Sequence, residues 1–263
     1  MTIHSEALPA RTLPRFGGFS ATFLGLELRR LLRNRRIFIF TIALPPLFFL
    51  LFGGSSAANR TQLVGHGNVT AYLVVSLAIY GAMLANTSGG ASVSLERAVG
   101  WSRQLRLTPL RPPAYIGVKL LVAMVLGGMS VLVTFAVGAL SGARMPWYSW
   151  LGTGMLAWAC ALVFAAFGLF MGYLLPSENV MQILGPALAL LAFAGGLFVP
   201  VDQMGHTFAT LAKFTPAYGV GEIARYPLTG DGSLSWALLN VVVWTVIFAV
   251  GAAWRFRRDT ART

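Results

Sequence analysis

Long apolar stretches without a charged residue dominate the chain. Six of them exceed 20 residues, namely 37–59, 61–95, 120–143, 145–177, 179–201 and 232–254. A helix rises about 1.5 Å per residue, so about 20 residues are needed to cross about 30 Å of hydrocarbon. The pattern therefore predicts an all-α polytopic membrane protein. Its six transmembrane helices are expected near 37–57, 71–95, 118–140, 150–175, 180–201 and 233–254.

The composition excludes a soluble globular protein. Of the 263 residues, 56% are apolar and only 11% are charged, whereas soluble domains carry about 25% charged residues. Too little polar surface remains to cover a fold in water. An outer-membrane barrel is also excluded, because its strands alternate apolar and polar residues in segments of about 10 residues.

The first apolar stretch has some features of a cleaved secretory signal. Arginines between 29 and 36 precede it, and a Gly-Gly-Ser-Ser-Ala segment follows it. However, 28 residues precede these arginines and five further apolar stretches follow, which favours a retained first span. Pro45 and Pro46 predict a kink in this helix.

The distribution of basic residues predicts the topology. The net charge is +12, and with an internal N-terminus and six spans, 16 of the 20 Lys and Arg residues lie on the cytoplasmic side. This positive-inside bias predicts that both termini are cytoplasmic. We expect a multi-pass protein of a bacterial inner membrane. The bias also explains the basic runs as orientation signals beside anionic lipid, not as a nucleic-acid site. The basic residues left on the outside are Arg60, Arg144, Lys213 and Arg225.

An amphipathic helix is predicted before the first span. The expected divisions are cytoplasmic tails at 1–18 and 257–263, an interfacial helix at 19–36 and a six-span permease domain at 37–256. One face of the interfacial helix carries Leu24, Leu28 and Leu31, and the opposite face carries Arg29, Arg30 and Arg33. Such a helix lies in the membrane interface. Anchoring to the lipid surface and contact with a protein partner both fit this pattern.

The second predicted span is unusual because one half of it is polar and small. Asn86 and Thr87 are followed by glycines and serines, which allow close helix packing and hydrogen bonds between helices. Close packing and a substrate path are the two interpretations. Phe and Met side chains could give such a path an adaptable apolar lining. The residues considered for the path are Asn86, Thr87, Phe167, Met171 and Gln182.

Residues 96–119 form the only substantial internal segment on the predicted cytoplasmic side. The segment opens with the charged pair Glu96–Arg97, places Leu105 and Leu110 among arginines, and meets Thr108–Pro109. Interleaved leucines and arginines favour a short amphipathic helix that stops at the proline. We expect this helix to dock a cytoplasmic partner.

Two other connections are informative. The second cytoplasmic turn is short and reads Pro-Ser-Glu-Asn at 176–179. On the outside, residues 202–231 are too apolar for a free loop and too broken by Pro and Gly for a span. They predict two short interfacial or re-entrant helices, near 205–214 and 217–226. The residues considered for an outer gate in this segment are Asp202, Pro216 and Tyr218.

No pattern in the chain supplies energy or catalysis. The spans lack charged side chains apart from Glu178 at a boundary, which argues against an ion-coupled carrier. Neither Lys119 nor Lys213 lies in a GxxxxGK[ST] motif for ATP. The single Cys160 and three scattered histidines predict neither a disulfide nor a metal site. We therefore expect a non-enzymatic membrane subunit that draws its energy from another protein.

Several motifs together resemble one family. They are ERxxG, LRLTPL and GVK between Glu96 and Lys119, then GGLFVPVDQM and FTPAYGVGEIARYPLTG. Over about residues 20–256 the chain is similar to the permease subunit of type-2 ATP-binding-cassette (ABC) exporters, nearest to the daunorubicin-resistance-like drug exporters. The resemblance implies a coupling helix that starts at Glu96 and contacts a nucleotide-binding ATPase subunit. The residues assigned to ATPase coupling are Glu96, Arg97, Gly100, Arg103, Leu105, Thr108, Pro109, Leu110, Pro176, Ser177 and Glu178.

The resemblance also implies a mechanism. Two permease chains, identical or paralogous, pair in the membrane, and two ATPase subunits bind ATP and Mg, while this chain holds no cofactor. The expected function is ATP-driven export of a hydrophobic or amphiphilic small molecule, such as a drug, antibiotic or natural product, as in multidrug efflux and antibiotic resistance.

Two alternatives remain. Residues 20–36 lack the RYxxTxLG-like pattern usual in the polysaccharide-exporting branch, which argues against a lipid-linked glycan as the cargo without excluding it. Export of a lipid or lipid-linked glycan is therefore kept as the alternative within the family. A non-transporting membrane scaffold or immunity protein is the alternative from a different class.

Overall fold

The computed structural model describes residues 21–34, 39–54, 56–100, 112–176 and 180–260. Within these residues the chain is mostly helical and its strands form one small hairpin, which confirms the all-α polytopic prediction. The elements are α1 Ala21–Arg33, α2 Leu44–Phe49, α3 Ala57–Thr61, β1 Leu63–Val64, β2 Gly67–Asn68, α4 Val69–Ala98, α5 Pro112–Leu140, α6 Trp147–Cys160, α7 Leu162–Leu174, α8 Val180–Ala194, α9 His206–Ala212, α10 Pro216–Thr229 and α11 Leu234–Thr260.

Four helical segments of the described chain are long and apolar enough to cross a membrane. They are Val69–Ala98, Ala114–Leu140, Trp147–Leu174 and Leu234–Phe256, the third being α6 and α7 in succession. These segments correspond to the second, third, fourth and sixth predicted spans.

The first apolar stretch forms a shorter and irregular helix. A π-helical turn at Ile39–Ala43 leads into α2, and a second π-helical turn at Leu50–Gly54 follows it. Pro45 and Pro46 occupy the first turn of α2, where a missing backbone N–H costs least. The apolar helix Ile39–Phe52 is too short to count among the four long segments.

The fifth apolar stretch ends earlier than the sequence suggests. We expected a helix to 201, but α8 ends at Ala194. A Cβ at Gly195 would lie 2.5 Å from the Cβ of Ala217 in α10, and Gly196 adopts a φ of +75°. The close approach of α10 therefore turns the chain, and the 15 residues of α8 rise only about 22 Å.

Helix α4 is the centre of the bundle and packs along both α5 and α7. Its small residues allow the contact, since a Cβ at Gly89 would lie 2.5 Å from the Cβ of Ala123 in α5, and one at Gly90 would lie 2.4 Å from the carbonyl oxygen of Ala165 in α7. Helix α11 packs against α7, and α10 lies against α6, α11 and α4.

The length of α4 separates two ends of the bundle. Its 30 residues span about 45 Å. We call the end that holds Glu96 the cluster end, and the end that holds the β1–β2 hairpin the hairpin end. The charge distribution predicts that the cluster end faces the cytoplasm.

Candidate functional site

The amphipathic helix predicted before the first span is present as α1. Leu31 is buried, and Leu24 and Leu28 are half-buried, in a cluster with Val118 and Val122 of α5. The leucine face therefore contacts α5 of the same chain. Arg29 and Arg33 on the other face are exposed.

Charged residues from α1, α4 and α5 meet beneath this helix. Lys119 donates hydrogen bonds to Glu27, at 2.5 Å from Nζ to Oε2, and to Glu96. The hydroxyl of Tyr115 also donates to Glu96, and Arg30 contacts Glu96 at 3.2 Å from Nη1 to Oε1. We call Glu27, Arg30, Glu96, Tyr115 and Lys119 the buried charge cluster.

The buried charge cluster is neutral and largely closed to solvent. Lys119 is 2% exposed, Glu96 3% and Glu27 5%, whereas the Arg30 side chain is 57% exposed. Charges removed from water are tolerated when they are paired and hydrogen-bonded, and removing one partner is strongly destabilising. Two carboxylates against two cations meet this condition, so the cluster joins α1 to the ends of α4 and α5.

The other predicted coupling residues of the described chain lie nearby. Arg97 donates to the carbonyl oxygens of Gly172 and Tyr173 in α7, both at 3.4 Å, and its guanidinium lies 5.5 Å from the centre of the Tyr173 ring. Gly100, with a φ of +71°, follows the end of α4, and Pro176 is exposed just after α7. Outside the described residues lie Arg103, Leu105, Thr108, Pro109, Leu110, Ser177 and Glu178.

The structure places most of the suggested path residues in helix packing. Asn86 is 0% exposed and donates to the carbonyl oxygen of Ala82, and Thr87 is 1% exposed and donates to the carbonyl oxygen of Phe164. Phe167 is buried against Phe248 of α11, with ring centres 5.0 Å apart.

Two further path candidates differ from each other. Met171 is half-buried and packs against the main hydrophobic core. Gln182 is exposed on α8, beside apolar residues such as Ile183, which is 43% exposed. In this conformation Gln182 is therefore the candidate whose polar side chain is available for contact.

Near the suggested outer gate, Arg225 of α10 forms a buried anchor. It is 4% exposed, and its guanidinium donates to the hydroxyl of Tyr72 in α4 and to the carbonyl oxygen of Gly196, at 3.1 Å. Pro216 and Tyr218 are buried on the same helix, whereas Asp202 is exposed. We call Tyr72, Gly196 and Arg225 the hairpin-end anchor, because they fix the turn after α8 to α4 and α10.

A carboxylate next to this anchor has a perturbed acidity. Burial raises the pKa of Glu222 above its ordinary value, the charge of Arg225 partly opposes the rise, and Asp202 adds to it. Glu222 is half-buried on α10, so its charged form lacks part of its hydration.

Sequence analysis missed the buried charge cluster and the hairpin-end anchor, although both left a signal. Glu27 falls on the apolar face of α1, three residues after Leu24 and four before Leu31. Arg225 similarly falls between Gly221 and Leu228 on the buried face of α10. A charged residue at an apolar-face position of an amphipathic helix indicates a buried partner.

Comparison with known proteins agrees with this architecture. The sequence model of a family described as ABC-2 type transporter matches residues 22–228, which is more than half of the chain. A curated protein of Bacillus subtilis (strain 168), named "Putative transport permease YvfS", is 25% identical over 238 residues, covering 89% of this chain and 96% of that protein.

Proposed function

We propose that this transport permease, which belongs to the ABC-2 type transporter family, is the membrane subunit of an ATP-driven exporter in a bacterial inner membrane. Its cargo would be a hydrophobic or amphiphilic small molecule, moved outward. A separate ATPase subunit would bind ATP and Mg and supply the energy.

The observation that carries the proposal is the buried charge cluster. It joins α1 to α4 and α5, the helices that precede and follow residues 101–111 in the sequence, and the family resemblance assigns residues between Glu96 and Leu110 to ATPase contact. Because buried ion pairs resist separation, a displacement of that segment would move the three helices together. Movement of one element by a partner can thus reach the membrane interior along α4.

Exposed apolar surface supports a paired permease and a hydrophobic cargo. Leu51 and Phe52 after α2 are 69% and 63% exposed, and Leu190 and Phe193 on α8 are 70% and 49% exposed. Gln182 is exposed on the same helix. The amide of Gln182 offers hydrogen bonds beside apolar surface, which suits contact with a second permease chain or with an amphiphilic cargo.

Reconstitution in liposomes tests the proposal. The purified chain is compared with and without its candidate ATPase partner, and ATP hydrolysis is measured across a panel of amphiphiles. We expect hydrolysis stimulated by cargo only when both proteins are present. Uphill transport by this chain alone would contradict the proposal, and binding of the ATPase without any stimulation would favour the scaffold alternative.

A matched pair of variants tests the docking segment. Leu105→Asp should reduce co-purification of the ATPase, because a carboxylate disrupts an apolar contact. Leu63→Asp in the hairpin is the control, since Leu63 is 80% exposed at the other end of the bundle. Equal recovery of the ATPase with both variants would show that Leu105 does not contribute to docking.

A further inference from the structure

Two arginines at the hairpin end line one open cavity. The cavity has a volume of about 490 Å³ and is lined by residues of α3, the hairpin and the loop from α5 to α6, including Arg60, His66 and Arg144. All three of these side chains are exposed. Residues far apart in the sequence therefore present positive charge to one space.

A buried asparagine holds the two arginine segments together. Asn68 is 1% exposed, and its Nδ2 donates to the carbonyl oxygen of Arg60 at 3.1 Å and to that of Gly142 at 2.9 Å. Its Oδ1 accepts from the backbone N–H of Arg144 at 3.0 Å, and its own N–H donates to the Arg144 carbonyl oxygen at 3.1 Å. A satisfied buried network of this kind specifies one geometry.

Two glycines make the close approach possible. The Arg60 side chain lies over Gly142, where a Cβ would be 3.1 Å from Cδ and Nε of the arginine, and Gly142 has a φ of +94°. A Cβ at Gly67 would lie 2.6 Å from the carbonyl oxygen of Arg144. The cavity wall is therefore built at positions that favour glycine.

The charges around the cavity are not balanced within the described chain. Among the residues that the structure describes, no carboxylate lies within ion-pair distance of Arg60 or Arg144. These are two of the four basic residues predicted outside, where the positive-inside bias disfavours them. Arg225, a third, is buried in the hairpin-end anchor. An anion in the cavity would relieve the repulsion between the two arginines.

We propose that this cavity binds the phosphate of an anionic phospholipid headgroup, with Arg60 and Arg144 as its cationic ligands. The guanidinium fork matches the geometry of phosphate oxygens. The neighbouring Trp147 and Tyr148 are 77% and 48% exposed, and such aromatic residues lie at the headgroup level of a membrane. The inference concerns a lipid site and does not depend on the proposed export function.

Binding to the purified full chain in nonionic detergent tests the site. Three probes are titrated by native mass spectrometry: dioctanoyl-phosphatidylglycerol, dioctanoylglycerol without phosphate, and inorganic phosphate as a competitor. We expect saturable binding of the phospholipid at one site and no comparable binding of dioctanoylglycerol. Arg60→Gln and Arg144→Gln should each weaken binding about tenfold, because each removes a charge-assisted hydrogen bond.

Matched variants separate the site from general charge effects. Lys213→Gln removes an exposed positive charge at a position outside the cavity lining and should leave the affinity unchanged. The double change Arg60→Lys with Arg144→Lys keeps the charge and should retain intermediate affinity, which guards against a folding defect in the glutamine variants.

Three results would overturn the proposal. Unchanged affinity when Arg60→Gln and Arg144→Gln are combined in one chain would show that these arginines do not bind the lipid. Equal binding of dioctanoylglycerol would show that the phosphate does not contribute to binding. Displacement of the phospholipid by an equal concentration of inorganic phosphate would show a soluble anion as the ligand and overturn the lipid assignment.

Discussion

The two ends of α4 hold charged residues in opposite ways. At the cluster end, Lys119 lies between Glu27 and Glu96, and all three are at most 5% exposed. At the hairpin end, Arg60 and Arg144 are exposed and have no carboxylate partner among the described residues. The first arrangement pairs its charges within the chain, whereas the second leaves two cations without a carboxylate partner among the described residues, which is the basis for the proposed anion site.

The difference shows how burial governs the role of a charge. A buried charge without a partner is costly, so the cluster end must satisfy itself in order to fold. An exposed charge keeps its hydration, so it needs no partner within the chain and can bind a ligand. We therefore expect opposite effects on stability from removing the buried Lys119 and from removing the exposed Arg60.

Lys119→Met should have the largest effect. It leaves Glu27 and Glu96 as buried carboxylates with the exposed Arg30 as the remaining cation of the cluster, and we expect the free energy of unfolding to fall by about 3–5 kcal/mol. Thermal unfolding in detergent, followed by circular dichroism, measures it. Arg29→Met on the exposed face of α1 is the control, with a change within about 0.5 kcal/mol; equal effects of the two variants would show that the cluster does not hold α1.

Arg225→Met should have the next largest effect. It removes the hydrogen bonds to Tyr72 and to the carbonyl oxygen of Gly196, and an unsatisfied buried group costs about 1–3 kcal/mol. The turn after α8 should then become more accessible to protease, as measured by limited proteolysis. Lys213→Met, at an exposed position, should not change cleavage, and unchanged cleavage of both variants would contradict the anchor.

Gly168→Ala should loosen the packing of α7 against α4. A Cβ at Gly168 would lie 2.2 Å from the carbonyl oxygen of Thr87, so α7 must move away from α4, at a cost of about 1–3 kcal/mol. Gly117→Ala is the matched control, because nothing lies within 4 Å of a Cβ there and alanine favours the helix by up to about 1 kcal/mol. Thermal unfolding should shift in opposite directions; a shift in the same direction would argue against close α4–α7 packing.

Glu222→Gln should stabilise the protein modestly at neutral pH. Burial raises the pKa of Glu222 above its ordinary 4.5, so its contribution to stability is present below that value and is lost as the pH rises. We expect a gain below about 1 kcal/mol at pH 7 that disappears on acidification. Melting temperatures between pH 4 and pH 8 measure it. Asp231→Asn, an exposed change, should show no such trend.

Arg60→Gln should have the smallest effect and the opposite sign to Lys119→Met. In lipid-free detergent at low salt it relieves repulsion with Arg144, a gain of up to about 0.5 kcal/mol, which should vanish at high salt because the charges are screened. Melting temperature against ionic strength measures it. A loss of stability at all salt concentrations would mean that the arginine is paired within the chain.

Patterns local in sequence were sufficient for most of the fold. Periodicity predicted α1, and the proline and glycine breaks predicted two short helices near 205–214 and 217–226, where the structure has His206–Ala212 and Pro216–Thr229. These features depend on which residues follow one another. The predicted topology across the membrane stays a prediction.

Contacts distant in sequence account for the rest. The end of α8 at Ala194 depends on Ala217 in another helix, which no local pattern contains. The partners of Lys119 lie 92 and 23 residues away in the chain. From the sequence, Asn86 and Thr87 fit both close helix packing and a substrate path. Their contacts with residues distant in sequence or in the adjacent turn show that, in this conformation, they take part in packing.

The π-helical turns on both sides of α2 give the first apolar helix an adjustable register. Each such turn holds one residue more than an α-helical turn would. If Ile39–Ala43 or Leu50–Gly54 changed to α-helical bonding, the residues beyond it would rotate by about 100° and shift by about 1.5 Å. A small change in hydrogen bonding would then present a different set of side chains to whatever lies beside this helix.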